Sequence, residues 1–258
     1  MSNYQVPVHL YMTAPVIAVT PSDSLDAAYA TMSEHGISSL GVTEGDTLVG
    51  VISRSDLLRV GQRQAGSSVR SPVLTFPSTT VADEMTSEVE TVAPDSMLED
   101  AAARMRKAFV HRVFVVDNGN PVGVLSTRDL LRALEEKQDN HRIGDFMSSP
   151  VFTIRDEETL GEAVTRLERG HASGLIVVED GWPVGTFGKA EALDARDLPR
   201  SVAVGDVMSP RILTLPSTTS LHRAAAQARA LGVRRVVIHD GNGVVGIVSG
   251  LDFTRAVA

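Results

Sequence analysis

Three serine–aspartate pairs share one spacing: Ser53 with Asp56, Ser126 with Asp129, and Ser249 with Asp252. Each closes an apolar run opened by glycine, reading G-V-I-S-R-S-D, G-V-L-S-T-R-D and G-I-V-S-G-L-D. A serine leaving a strand-like run, with a carboxylate three residues on, is the pattern of a capped helix N-terminus. The same carboxylate can accept both hydroxyls of a vicinal diol such as that of ribose. Glutamate is the better partner in a capping box, so aspartate in all three copies favours the diol role. Cap and contact are not exclusive. A fourth copy, Gly185–Glu191, reads G-T-F-G-K-A-E and puts Gly188 and Glu191 at the two positions. Glycine removes a hydroxyl there, and glutamate carries its carboxylate one methylene further out.

The copies recur about 60 to 75 residues apart, so the chain is an internal repeat. Each repeat opens with a methionine-led segment, M-T-A-P at Met12, M-T at Met85, M-S-S-P at Met147 and M-S-P at Met208. A short β-prone run follows, then a helical pattern such as Leu25, Ala28 and Met32, or Leu160, Ala163 and Leu167. Ser22 or Ser24 caps the first of these helices and His35-Gly36 closes it; Ser96 and Glu99 stand at capping-box spacing before the second. Two strands joined by a turn come next, for example Val113–Val116 and Val122–Leu125 about Asp117–Asn120. The fold class is therefore mixed α/β (α+β), with four β-α-β-β-α repeats. The boundaries are 1–62, a linker at 63–80 with a possible strand at Val73–Phe76, 81–136, 137–200 and 201–258. Residues 135–142 read as a solvated, charged connection. One repeat is too small to bury its apolar helix face alone, so the repeats must pair.

Composition excludes several classes. The 258 residues are 43% hydrophobic but only 4% aromatic, so the cores are built from Val, Leu, Ile and Ala. No apolar run is long enough to cross a membrane, and no charged-then-apolar leader is present. The absence of cysteine removes disulfides and thiolate chemistry together, which points to the cytoplasm. A net charge of -8 argues against nucleic acid. The seven histidines fall singly, without metal-ligand spacing, and no nucleophile elbow, P-loop or dinucleotide motif occurs. No catalytic residue, metal or required cofactor is expected. Trp182, in the turn of the third repeat, reads as a surface or interface residue.

The methionine-led segment, the helix, the V-V-D/E-x-G strand pair and the G-h-h-S-x-x-D turn together resemble cystathionine-β-synthase (CBS) domains. The resemblance covers nearly the whole chain as two tandem pairs, the arrangement called a Bateman module. It implies two pseudo-twofold modules, repeats 1 and 2 in one and repeats 3 and 4 in the other, with the sheets of paired repeats facing. It also implies clefts that hold an adenosine ligand: AMP, ADP, ATP or S-adenosylmethionine. On that resemblance Ser53, Asp56, Ser126, Asp129, Ser249 and Asp252 contact ribose. Thr13, Ser38, Ser39 and Thr86, with the β-runs after the two threonines, line the base side.

The resemblance gives a second set. His111-Arg112 and Arg234-Arg235 stand just before V-x-[VI] strands, where nucleotide-binding members of the family place a phosphate contact. Arginine suits phosphate because its planar fork makes two parallel hydrogen bonds. The plainer reading is a cation paired with a surface carboxylate, worth at most ~1 kcal/mol. Ser38-Ser39 and Ser173-Gly174 hold the same places in the other two repeats, so even repeats bring cations and odd ones small residues.

The chain is thus expected to be a non-enzymatic regulatory sensor acting on an unknown target protein. The rival is a ligand-free structural or interaction subunit; a fragment of a larger catalytic assembly has no residue constellation behind it. A homodimer is expected, because short helices such as Leu57–Val60 and Leu130–Leu134 carry apolar residues to bury.

Overall fold

The structure is a computed structural model that describes residues 4–170, 174–241 and 243–258. Repeat 1 contains β1 (Ala18–Val19), α1 (Leu25–Glu34), β2 (Ser39–Glu44), β3 (Thr47–Ser53) and α2 (Arg54–Gln64). Repeat 2 opens with a single turn, α3 (Val81–Glu84). It continues through β4 (Thr91–Val92), α4 (Leu98–Lys107), β5 (Arg112–Asp117), β6 (Asn120–Ser126) and α5 (Thr127–Glu136). Repeat 3 has β7 (Thr153–Arg155), α6 (Leu160–Arg169), β8 (Gly174–Glu179), β9 (Trp182–Gly188) and α7 (Lys189–Asp194). Repeat 4 has β10 (Thr214–Pro216), α8 (Leu221–Leu231), β11 (Arg235–His239), β12 (Val244–Ser249) and α9 (Gly250–Val257).

Each repeat makes one three-stranded sheet in chain order. The first two strands are parallel, and the helix between them supplies the crossover that parallel pairing requires. The last two form an antiparallel hairpin. Asn118-Gly119 and Asp180-Gly181 turn two of these hairpins with φ of 49° and 88°, and 48° and 82°. Two consecutive positive φ values are what a two-residue type I′ turn demands.

Two local readings of the sequence come out differently, and a third needs a qualification. The helix after Ser96 starts at Leu98 behind Met97, and Ser96 Oγ accepts from Ala93 N at 3.1 Å, closing the preceding turn instead of capping α4. Val73–Phe76 forms no strand. The Val73 and Leu74 amides donate to the Leu198 and Arg196 carbonyls, which buries both side chains within a loop pair. The charged connection at 135–142 is mostly exposed, as expected, but it is anchored at Asp139. Asp139 is 8% exposed and takes hydrogen bonds from Tyr4 Oη and His141 Nδ1, each 2.8 Å. Burial, then the hydrogen bond to Asp139, pushes the Tyr4 phenol above its ordinary range.

The methionine-led segments are exchanged between neighbours. Thr13 bridges antiparallel to Val124 in β6, and Thr86 to Val51 in β3; Ser148 bridges to Ile247 in β12, and Ser209 to Thr186 in β9. Repeats 1 and 2 thus complete one another's sheets, as do 3 and 4, making two reciprocal tandem pairs. The methionine and glycine of the motif explain each other. A β-carbon at Gly123, Gly50, Gly246 or Gly185 would lie 2.5–2.6 Å from the sulfur of Met12, Met85, Met147 or Met208. Only glycine admits the incoming side chain.

Contacts gather the chain into two compact units. One is Met1–Val16, Val89–Val151 and Arg211–Ala258; the other is Ile17–Glu88 and Phe152–Pro210. The first joins the bodies of repeats 2 and 4, α5 packing on α8 and α9, and α4 on α9. Its core includes Val8, Leu98, Leu130, Leu134, Leu221 and Phe253. The second joins repeats 1 and 3, with α2 on α7 and a core including Leu25, Leu57, Val81, Leu160, Leu193 and Val204. The apolar residues of Leu57–Val60 and Leu130–Leu134 are therefore buried inside their own chain.

Candidate functional site

Strand register assembles the site. Ser126, the last residue of β6, lies opposite Arg112, the first of β5. Ser249 lies opposite Arg235, and Ser53 opposite Ser39, in the corresponding pairs. In repeat 3 the facing residues are Gly174 and Gly188; Ser173, noted beside Gly174 in the sequence, lies outside the described residues. The next residue ties the turn down: Thr127 N donates to His111 O, and Arg54 N to Ser38 O, both at 3.0 Å. In repeats 2 and 4 hydroxyl, carboxylate and strand-start cation thus meet where the hairpin runs into its helix; repeat 1 lacks the cation, and repeat 3 lacks the hydroxyl as well.

The three aspartates divide their two oxygens. Oδ2 serves the helix cap in every case. Asp56 Oδ2 accepts from Ser53 N (2.9 Å) and Ser53 Oγ (2.6 Å). Asp129 Oδ2 accepts from Ser126 N and Oγ, each at 2.7 Å. Asp252 Oδ2 accepts from Ser249 N at 2.8 Å and Oγ at 2.9 Å. Repeat 3 keeps only the backbone bond, Gly188 N to Glu191 Oε2 at 2.9 Å, because Gly188 has no hydroxyl.

Oδ1 is where the copies differ. Arg59 Nη2 holds Asp56 Oδ1 at 2.9 Å, and Asp56 is buried. Ser148 Oγ donates to Asp252 Oδ1 at 2.7 Å, and Asp252 is buried too. Asp129 is the more open carboxylate, and among the described residues its Oδ1 meets only a long contact from Thr13 Oγ1, 3.3 Å. Thr13 and Ser148 both sit on exchanged segments, so the second oxygen faces a hydroxyl lent by the partner repeat. Thr86 is exposed beside β3, held by its backbone to Val51.

His111 is exposed and Arg112 partly buried, and Arg234 and Arg235 repeat that pattern. Gly250, the residue after Ser249, brings repeat 4 against this group. A β-carbon there would fall 2.6 Å from Thr127 Oγ1 and 3.1 Å from His111 Nδ1. Thr13, His111, Arg112, Ser126 and Asp129 are thereby one cluster in repeat 2, flanked by Gly250. The β-run after Thr86 lines a separate groove of about 1110 Å³, with Glu90, Thr91, Val92, Asp100, Arg104 and Lys107 on its walls. None of the serine–aspartate residues lines that groove. Among the described residues no cluster of three metal-ligating side chains occurs, and no helix is long and apolar enough to cross a membrane.

Sequence reading passed over the residue that follows each motif serine or its replacement: Arg54, Thr127, Lys189 and Gly250. Aligning the four turns on that position would have exposed it, since the two odd repeats carry a cation and the two even ones do not.

A family model for the CBS domain matches residues 8–63, 70–136, 143–197 and 204–258. The chain belongs to the CBS-domain family. Its four CBS repeats run the length of the sequence. The uncharacterized protein MJ1404 of Methanocaldococcus jannaschii is 25% identical over 98% of this chain and 62% of its own length. An inosine-5'-monophosphate dehydrogenase of Korarchaeum cryptofilum is 27% identical over 86% of this chain and 48% of its own length. The chain therefore spans less than two thirds of these curated relatives. Among solved structures, protein MJ1225 from Methanocaldococcus jannaschii superposes with a TM-score of 0.81, covering 98% of this chain and 100% of that one. At 18% identity that likeness shows a shared fold.

Proposed function

We infer that the chain is a regulatory CBS protein that binds an adenosine ligand, and that repeat 2 carries the principal site. The observation behind this reading is the division of labour at Asp129. One oxygen is fixed by the cap, and the other is open except for a long hydroxyl contact, beside Arg112 and His111. A ribose diol on Oδ1 and a phosphate at the strand-start cations fit that arrangement. The ligand class is AMP, ADP, ATP or S-adenosylmethionine, and binding, with no bond made or broken, would alter a partner protein in the cytoplasm. Thermal unfolding with and without each ligand is the test. At ~100 times its dissociation constant a ligand adds about 2.7 kcal/mol. A midpoint unmoved by all of them would remove the reading.

A second reading applies to repeats 1 and 4. There Oδ1 is already held by Arg59 or Ser148 and the carboxylate is buried, which favours a scaffold role for those two turns. Homodimerisation, which the resemblance suggests, would draw on surface other than the buried faces of α2 and α5. Light scattering at high protein concentration tests it, and a monomeric mass would count against it.

A further inference from the structure

Helix α4 is packed on one side only. Leu98, Ala101, Ala102 and Met105 are buried, whereas Asp100, Ala103, Arg104 and Lys107 form an exposed stripe at helical spacing. That stripe is one wall of the groove of about 1110 Å³, whose lining also includes Val92, Ala93 and Ala108. Arg104 Nη1 lies 3.4 Å from Glu90 Oε2, while Asp100 and Lys107 make no ion pair among the described residues. Just past the helix, Phe109 stands exposed at φ 54°, where Gly36 and Gly232 close α1 and α8. An L-residue is strained in that conformation. One residue therefore carries both backbone strain and an apolar ring in water. Met97, immediately before α4, is an exposed apolar side chain at the other end.

The stripe is complementary to itself. Asp100 and Lys107 stand equally far from the midpoint between Ala103 and Arg104, with Met97 and Phe109 just beyond them. A second α4 laid antiparallel on the first sets Asp100 against the partner's Lys107, twice over, and small Ala103 near the axis lets the helices approach. This is the reciprocity that an isologous contact requires. We propose that the outer face of α4 binds the same face of a second copy, each Phe109 seated over the partner's Met97 at the end of the partner's groove. The apolar faces of α4, α5, α8 and α9 are buried within the chain, so this contact uses the opposite side of α4. Helix α6 repeats the charge order as Glu162, Thr165, Arg166 and Arg169 beside a groove of about 330 Å³. There Arg166 already joins Glu162 at 3.1 Å and also Glu158, so the acid is neutralised within its own chain. The inference gives the homodimer suggested above its surface and does not depend on the adenosine reading. A helix of 10 residues is about 15 Å long, a small contact against the ~800 Å² per partner of a standard interface, so association is weak.

Sedimentation equilibrium of the full chain over a wide concentration range is the test, with circular dichroism confirming that each variant is folded. The mass of the intact protein is expected to rise from monomer towards dimer with concentration, and added salt should reverse the rise. Phe109→Gly, which relieves strain in the monomer, should raise the dimer dissociation constant about tenfold or more. Asp100→Lys and Lys107→Glu each bring like charges together at both ends of the contact and should each remain monomeric. An equimolar mixture of those two variants should dimerise again, because every introduced charge then faces its opposite. Glu162→Lys on α6 should leave the mass unchanged. An intact protein that stays monomeric at every concentration would remove the homodimer and leave this face to a different protein. A dimer that survives both charge variants, is not recovered in their mixture, or is lost with Glu162→Lys would keep the homodimer but overturn this surface.

Discussion

Ser148 Oγ donates a 2.7 Å hydrogen bond to Asp252 Oδ1, joining the opening segment of repeat 3 to the closing helix of repeat 4. Thr13 approaches Asp129 from the equivalent place, but at 3.3 Å and in a more open setting. The two contacts should differ in worth. Ser148→Ala leaves a buried carboxylate oxygen unfilled and is expected to cost about 1–3 kcal/mol. Thr13→Val should cost roughly 0.5 kcal/mol or less, as an exposed contact does. Urea unfolding of the two variants checks this, and equal losses would contradict it.

The methionine–glycine contact gives a second test. Gly123→Ala sets a β-carbon 2.5 Å from Met12 Sδ, an overpacking expected to cost about 1–3 kcal/mol. Met12→Ala in the same chain removes the clash, so the double variant should be more stable than the sum of the single losses implies. A double-mutant cycle with no coupling would show that the methionine moves aside freely.

Binding should be unequal among the repeats. Asp129→Ala is expected to weaken an adenosine ligand by about 1.5–3 kcal/mol, the value of a charged hydrogen bond. Glu191→Ala should change almost nothing, since repeat 3 lacks the hydroxyl that positions its carboxylate. Arg112→Ala should harm AMP or ATP and leave uncharged adenosine nearly untouched. Calorimetry on the three variants decides, and a Glu191→Ala loss matching that of Asp129→Ala would end the asymmetry.

Glu158 and Tyr4 contribute to opposite edges of the pH range. Burial alone would raise the Glu158 carboxyl. The Arg155 amide and the Arg166 guanidinium outweigh burial and hold it below its ordinary 4.5. A lowered folded value means stability that is present above 4.5 and lost as pH falls through the folded value. Tyr4 is opposite in sign. Its raised value favours the protonated phenol, so its contribution is present below the ordinary 10.0 and lost as pH rises beyond it. Glu158→Gln should flatten the acid limb of stability against pH, and Tyr4→Phe the alkaline limb. Limbs unchanged in these variants would exclude both assignments.

Phe109 occupies a left-handed conformation, φ 54°, with 81% of its surface exposed. Gly36 and Gly232 fill the same place after α1 and α8, at φ 62° and 65°. Phe109→Gly should therefore stabilise the fold by about 1 kcal/mol, the order of the strain an L-residue carries there. A thermal midpoint that falls would mean that the ring makes contacts worth more than the strain.

The order of elements was legible because strand and helix periods repeat four times with the same punctuation. The pairing of Ser126 with Arg112 followed from hairpin register, which the Asn118-Gly119 turn sets locally. What the sequence does not reveal is destination. Nothing near Met12 tells whether it will pack on its own repeat or on Gly123 of the next, since either glycine would accept it. Nor does Ser148 announce its bond to Asp252, which depends on that exchange. Arg54 went unnoticed because a cation after a serine reads as an ordinary surface residue until its burial is known.

The exchange of opening segments bears on synthesis at the ribosome. Thr13 emerges long before its β partner, Val124, which is made only after repeat 1 is complete. Repeat 1 must in turn wait for Val81 and Thr86 to close its own sheet, and its core also draws on Leu160 and Val204 of the second pair. Repeats 1 to 3 therefore cannot finish folding as they leave the exit tunnel. The nascent chain carries unfilled glycine notches and bare strand edges until late, and these are the surfaces that chaperones recognise and aggregation exploits.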